Sequence, residues 1–201
     1  MKTDTLLKID GWLKIFNPVT GEVFHDKTNA IHYENMSMAL AQSIANKSIG
    51  YIYSMSFGNG GSSVDPTGII TYLPPNTTGQ NSDLYNQTYT KVVDDNSPAN
   101  TDPTRNTLTV NHTTGKVYTD VLVTCLLDYG EPQGQQAFAN STNFNGDFVF
   151  DELGLKAWQG TGVSELLLTH VIFHPVQKSL NRQIQIDYTV RIQTLTNLSA
   201  A

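Results

Sequence analysis

The residues of this 201-residue chain with most capacity for chemistry fall in a few short stretches. The first is Gly58-Asn59-Gly60-Gly61, directly after the apolar run "YIYSMSF" of residues 51–57. Backbone amides of a glycine-rich loop can cradle a phosphate. A P-loop, however, needs G-x-x-x-x-G-K-[ST], in which the lysine reaches the β- and γ-phosphates. No lysine occurs between Lys47 and Lys91. A dinucleotide fingerprint needs an amphipathic helix after the glycines, and Pro66, Pro74 and Pro75 oppose a helix there. The glycines therefore read as a sharp turn.

His170 and His174 have H-x-x-x-H spacing, but "LLLTHVIF" is β-rich and Pro175 follows. On a strand four residues span about 13 Å, too far for two ligands of one zinc ion. An isolated histidine in such a strand reads as a hydrogen-bonded core or rim residue. "NFNGDF", residues 143–148, lacks the order of acidic residues and the twelfth-position Glu of a calcium loop, so Gly146 marks a turn. Asp151 and Glu152 are neighbours, and on a strand neighbours point to opposite faces. Cys125 is the only cysteine and lies inside an apolar alternating segment, as a small buried hydrophobe would. No nucleophile motif of the G-x-S-x-G type is present. These stretches predict no catalytic residue, no cofactor and no metal.

The elements that would position these residues are mostly strands. "LLKIDGWLKIF", the turn at Pro18 and Gly21, and "EVFHDKTNAI" read as an N-terminal hairpin. Met36, Leu40 and Ile44 recur every four residues among alanines, which predicts one short helix near residues 34–46. Residues 51–57 form a strand, and 58–84 read as a long loop. "LYNQTYTKVVD" is a strand and "DNSPANTDPTRN" a second loop. "TLTVNH" and "KVYTDVLVTCLLD" flank a hairpin turn at residues 112–115. Val117, Val121, Val123, Cys125 and Leu127 share one parity and should face the core. Residues 128–147 form the third long loop. "FVFDELGLKAW" and "ELLLTHVIF" are strand-like. In "QIQIDYTVRIQTL", apolar residues from Ile184 to Ile192 alternate with polar ones, as in a half-buried antiparallel strand. About eight strands and one helix, without βα alternation, predict a mainly β chain. The expected architecture is an antiparallel β-sandwich, jelly-roll-like, forming one domain over residues 1–201 with long loops.

Composition narrows the function. Charged residues are 15% of the chain, against about 25% in an average domain, and Thr, Asn, Gln, Ser and Gly fill the deficit. The net charge of −6 and the absence of a basic run argue against direct nucleic-acid binding. No run approaches the ~18 apolar residues of a membrane span. Asp4 and Asp10 interrupt the N-terminus, which predicts synthesis in a cytoplasm without a signal peptide.

"FDELGLKAW", then "LLLTHVIFHPVQKSLNRQIQIDYTVRI", resembles a C-terminal pattern of tailed-bacteriophage virion structural proteins. There a strand ends in an acidic-Leu/Ile-Gly-Leu turn, a second ends in Phe-x-Pro, and a final alternating strand follows a Lys/Asn linker. "NAIHYENMSMALAQSIA" and "MSFGNGG" are similar to the N-terminal half of such proteins. The likeness covers about half the chain in two blocks, and its motifs are structural.

The resemblance implies a virion protein of the neck, collar or tail, made in the host cytoplasm. Its partners would be other virion proteins (portal, connector or tail ring), and it would form a symmetric homo-oligomer in the particle. Phe57, Tyr72, Tyr85, Tyr129, Phe138, Phe144 and Trp158 lie in or beside the loops and are the candidate interface anchors, since aromatic residues tend to dominate interface energy. The alternative is a capsid decoration or fibre-type module that recognises a glycan or receptor.

Overall fold

The computed structural model describes residues 5–134 and 148–196. Element order is β1 (Thr5–Phe16), β2 (Val23–Ile31), α1 (Tyr33–Ile44), β3 (Ile52–Gly58), β4 (Ser62–Val64), β5 (Ile70–Tyr72), β6 (Gln87–Val92), β7 (Thr107–His112), β8 (Tyr118–Leu127), β9 (Val149–Ala157), β10 (Leu166–Leu167), β11 (Thr169–Gln177) and β12 (Ile184–Thr196). The chain is mainly β with one short helix, as its patterning predicts. No helix among the described residues is long and apolar enough to cross a membrane.

Ten strands form one antiparallel sheet in the order β6-β3-β9-β11-β2-β1-β12-β8-β7, with β10 beside β9. The sheet curls into two facing halves. Its seam is the β11–β2 pairing, which holds only Thr169↔Ile31 and His170↔Ala30. Between the halves, Leu13 and Ile15 of β1 and Ile186 and Tyr188 of β12 share one apolar cluster with Met55 and Phe57 of β3 and Leu153 and Leu155 of β9. Across the open side, Lys91 Nζ on β6 donates to the Leu126 carbonyl on β8 at 2.7 Å. A half-buried antiparallel strand needs alternation, and β12 shows it: Ile184, Ile186, Tyr188 and Val190 are buried in register.

Helix α1 begins where His32 caps it, Nδ1 accepting from the Asn35 amide at 3.3 Å. That bond leaves the proton on Nε2, which donates to the Gly79 carbonyl at 3.1 Å. Asn35 Nδ2 bonds the Leu167 carbonyl at 3.0 Å, so the helix start is tied to a loop and to β10.

Three expectations need correction. The segment 58–84 is not wholly loop: β4 and β5 pair with each other in it. Their turn, Asp65-Pro66-Thr67-Gly68, is closed by Asp65 Oδ1 accepting from the Thr67 and Ile69 amides, with Gly68 at φ +88°. The strand through His170 does not end at Pro175. β11 runs on to Gln177, and the proline sits where the β9 register shifts, a place that needs no proline N–H. Val117 is 58% exposed; it precedes β8 and does not share the core face of Val123, Cys125 and Leu127.

Candidate functional site

Strand β9 is buried along all nine residues, including Asp151, Glu152 and Lys156. A buried charge needs partners, and these side chains find them in the loops that cover the strand. Glu152 Oε1 accepts from the Gly60 amide at 3.0 Å and the Asn86 amide at 2.7 Å. Its Oε2 accepts from the Tyr85 amide at 2.8 Å and from His170 Nε2 at 3.0 Å. Asp151 Oδ1 accepts from the Gly61 amide at 2.9 Å. Its Oδ2 accepts from the Ser62 amide at 2.8 Å and the Ser62 hydroxyl at 2.6 Å.

The glycine loop is therefore an anion-gripping loop, and the anions are two carboxylates of the same chain. The sharp-turn reading gave the wrong reason for the glycines. None of Gly58, Gly60 and Gly61 has positive φ. They are needed for close approach: a Cβ on Gly58 would lie 2.4 Å from the Asn86 carbonyl oxygen and 2.5 Å from Glu152 Oε1, and one on Gly60 would lie 2.7 Å from the Asn86 nitrogen. The neighbouring acids keep separate donors, yet consecutive residues of one loop reach both: Gly60 donates to Glu152, and Gly61 and Ser62 donate to Asp151.

The tautomer of His170 follows from its bonds. The Asn76 amide donates to Nδ1 at 2.8 Å, so the proton is on Nε2 and is donated to Glu152. Both ring nitrogens are occupied, and the imidazole is a strut between loop and strand, with no lone pair left to act as a base. Burial pushes the Glu152 carboxyl upward, but the bonds from His170 and then from the Asn86, Tyr85 and Gly60 amides outweigh it, and the net shift is below the ordinary 4.5. For Asp151 burial prevails over the Ser62 and Gly61 bonds, and the carboxyl lies above 3.8. His174 is separate and exposed, its Nδ1 3.1 Å from the Tyr72 hydroxyl. Cys125 is fully buried in the core, and burial pushes its thiol up to about 12. Among the described residues no three His, Cys, Asp or Glu converge as a metal site would require.

From this clamp the β4–β5 hairpin runs as an arm beside β11, where Tyr72 meets His174. Among the described residues β4 pairs only with β5. Asp151 holds its root, and Leu73 N closes it on the Gly61 carbonyl at 2.9 Å. Val64, Ile69, Tyr72 and Leu73 are all exposed on it, with Tyr85 beside its base. The Tyr85 hydroxyl donates to the Pro74 carbonyl at 2.6 Å, and its ring lies 5.4 Å from that of His170. Tyr72 and Tyr85 are thus exposed aromatics already fixed in place.

The other anchor candidates scatter. Phe57 is 2% exposed and packs on Phe150 at 5.1 Å, so it is a core residue and leaves the set. Trp158 is partly buried and packs at a tilt against Tyr53, ring centres 4.6 Å apart. Tyr129 is exposed but distant in the sheet order, after β8. Phe138 and Phe144, and the "NFNGDF" turn up to residue 147, lie outside the described residues.

Sequence reasoning missed the outward face of β2-β1-β12-β8. There Trp12 is 49% exposed, and a groove of about 720 Å³ runs past it and Tyr33. The available signal is parity: Lys8, Asp10, Trp12 and Lys14 occupy the polar positions of an alternating strand, so the tryptophan stands on the charged face. Comparison with protein-family models, with curated proteins and with solved structures found no match.

Proposed function

We propose that the chain is a structural component of a tailed-bacteriophage virion, which docks on neighbouring virion proteins at the head–tail neck or collar, or within the tail. The reading rests on the sequence resemblance and on one structural observation: the clamped β4–β5 arm with its exposed Val64, Ile69, Tyr72 and Leu73. By register Val64 and Tyr72 stand on one face of the hairpin and Ile69 and Leu73 on the other, and exposed apolar side chains gathered on both faces of one small element suit a contact with another protein. A two-stranded hairpin is marginal by itself in water. Here charged-acceptor bonds from a buried strand hold it, so its anchors are ordered before docking and lose little freedom on contact. In this reading the buried carboxylates act as fasteners and selectivity comes from surface fit.

The test replaces Val64, Ile69, Tyr72 and Leu73 together by serine. The melting temperature stays within about 3 °C of wild type, because the exposed side chains support no core. Immunogold electron microscopy of particles assembled with the variant then shows the label lost from the neck or tail. Normal incorporation of the variant overturns the docking role of the arm, and absence of the wild-type chain from particles overturns the virion reading. The second reading, an external decoration or fibre-type module, is favoured by the groove beside Trp12.

A further inference from the structure

We infer that the groove on the outward face of β1, β2 and β12 is a binding site for a neutral saccharide. The inference goes beyond assembly through the arm, because the arm is a separate two-stranded sheet rooted on β9, whereas the groove lies on β1, β2 and β12 of the large sheet.

Strand register sets the platform. Trp12 stands opposite Thr28 on β2 and Thr189 on β12. Two residues along, Asp10 stands opposite Arg191, which stands opposite Asp120 on β8. Strands lie about 4.8 Å apart and alternate residues about 6.7 Å apart along a strand. An aromatic ring is thus flanked by two hydroxyls and faces a row of acid, base and acid, a spacing that one pyranose and its hydroxyls span.

The groups are fixed before any ligand arrives. The Trp12 indole N–H donates to Asp26 Oδ1 at 2.7 Å. Arg191 donates through Nε and Nη2 to the two Asp120 oxygens at 2.7 and 2.8 Å, and its guanidinium lies 3.9 Å from the centre of the Tyr118 ring. Lys8 pairs with Asp10 at 2.8 Å. Tyr33, 69% exposed at the start of α1, forms a second aromatic wall.

The charges choose the ligand. Both cations of the groove are already paired with carboxylates, so no uncompensated positive field draws a phosphate or an acidic sugar. The paired carboxylates keep spare lone pairs, the guanidinium keeps N–H donors beyond the two it gives to Asp120, and the Thr28 and Thr189 hydroxyls make no hydrogen bond within the described protein. Aromatic faces beside convergent donors and acceptors suit a ring with an apolar C–H face and a rim of vicinal hydroxyls. A groove of about 720 Å³ lies within the range of small-ligand sites.

The test is titration of the intact chain with neutral hexasaccharides built from glucose, mannose, galactose or N-acetylglucosamine, with a sialylated oligosaccharide as the acidic control. Heat and tryptophan fluorescence are the readouts. At least one neutral probe binds saturably with a change in Trp12 emission, and the sialylated probe does not. Trp12→Ala weakens binding about tenfold or more, the size of an aromatic anchor. Thr189→Val, which keeps the side-chain volume and the fold, weakens it several-fold. The inference falls if no neutral hexasaccharide binds the intact chain, or if binding survives Trp12→Ala unchanged. It falls equally if light scattering shows a dimer that Trp12→Ala or Thr189→Val dissociates, for then the face contacts a second copy.

Discussion

Replacing Glu152 by glutamine removes one charge and turns one acceptor oxygen into an NH₂ donor. Whichever oxygen is replaced, two donors lose their acceptor: Gly60 and Asn86 on one side, or Tyr85 and His170 on the other. His170 cannot adapt by moving its proton to Nδ1, because that nitrogen already accepts from the Asn76 amide. Hydrogen bonds to a charged group contribute about 1.5–3 kcal/mol each, and a buried donor left unsatisfied costs about 1–3 kcal/mol. Two such losses make a destabilisation of about 4 kcal/mol, a large share of the roughly 5–15 kcal/mol of a typical domain.

Urea unfolding at neutral pH should place the Glu152→Gln midpoint about 2 M below wild type, for a slope near 2 kcal/mol/M. The sign with pH is also set. The folded carboxyl lies below its ordinary 4.5, so its contribution is present above the unfolded value and is lost as pH falls through the folded one. The gap between wild type and variant therefore narrows below pH 4.5. A Glu152→Gln protein within about 1 kcal/mol of wild type at neutral pH would refute the clamp, since two buried donors cannot lose a charged acceptor at that cost.

Gly60→Ala should lower stability by about 2–4 kcal/mol in the same assay, because its Cβ meets the backbone at Asn86 and the side-chain base of Tyr85; a loss under 0.5 kcal/mol would contradict the close-approach reading. Lys178 is 1% exposed and its ammonium is pushed down to about 8 by burial, although Nζ donates to the Ser179 carbonyl at 3.0 Å. The burden of a buried charge is present below pH 8 and is relieved as pH rises towards 10.5, amounting to about 3 kcal/mol for that shift. Lys178→Met should gain about that much more, relative to wild type, at neutral pH than near pH 10.5, and a mutant–wild-type difference that is flat with pH would exclude this burden.

The local patterns were legible because local physics dictates them. Alternation in residues 184–192 needs only a sheet with one dry face, and β12 has it. The four-residue recurrence of Met36, Leu40 and Ile44 needs only a helix, and α1 spans Tyr33–Ile44, but the stripe does not reach its end: Met36 and Ala39 are buried whereas Ile44, the last helical residue, is 86% exposed. The β4–β5 hairpin was legible in principle, since Asp65-Pro66-Thr67-Gly68 is a turn signature between β-branched residues, but its strands are three residues each and give almost no period. The clamp was not legible. Glu152 meets residues 66, 67 and 92 positions away, and nothing in "FDEL" says that loops will cover that face of the strand. Position 57 shows the same limit: a phenylalanine just before glycines looks like a loop anchor until β9 and β6 enclose it on both sides.

The adjacency of Asp151 and Glu152 has a mechanical consequence. One strand, rigid because it is buried along its length, holds the root of the arm through Asp151 and the 85–86 segment through Glu152. The two attachments are one peptide unit apart, so the arm and Tyr85 cannot move independently without breaking charged-acceptor bonds. Exposed aromatics elsewhere on loops would have to be ordered on contact, at about 0.5–1.5 kcal/mol for each immobilised side chain. Tyr72 and Tyr85 are already held, by His174 and by the Pro74 carbonyl. Uncoupling them therefore weakens docking even when the apolar surface is intact. Asp151→Asn should leave Val64, Ile69, Tyr72 and Leu73 exposed while loosening the hairpin root. Hydrogen exchange of the Gly61 and Ser62 amides reports that loosening directly, and unchanged protection in the variant would mean that the arm is held by its own turn and not by the strand beneath it.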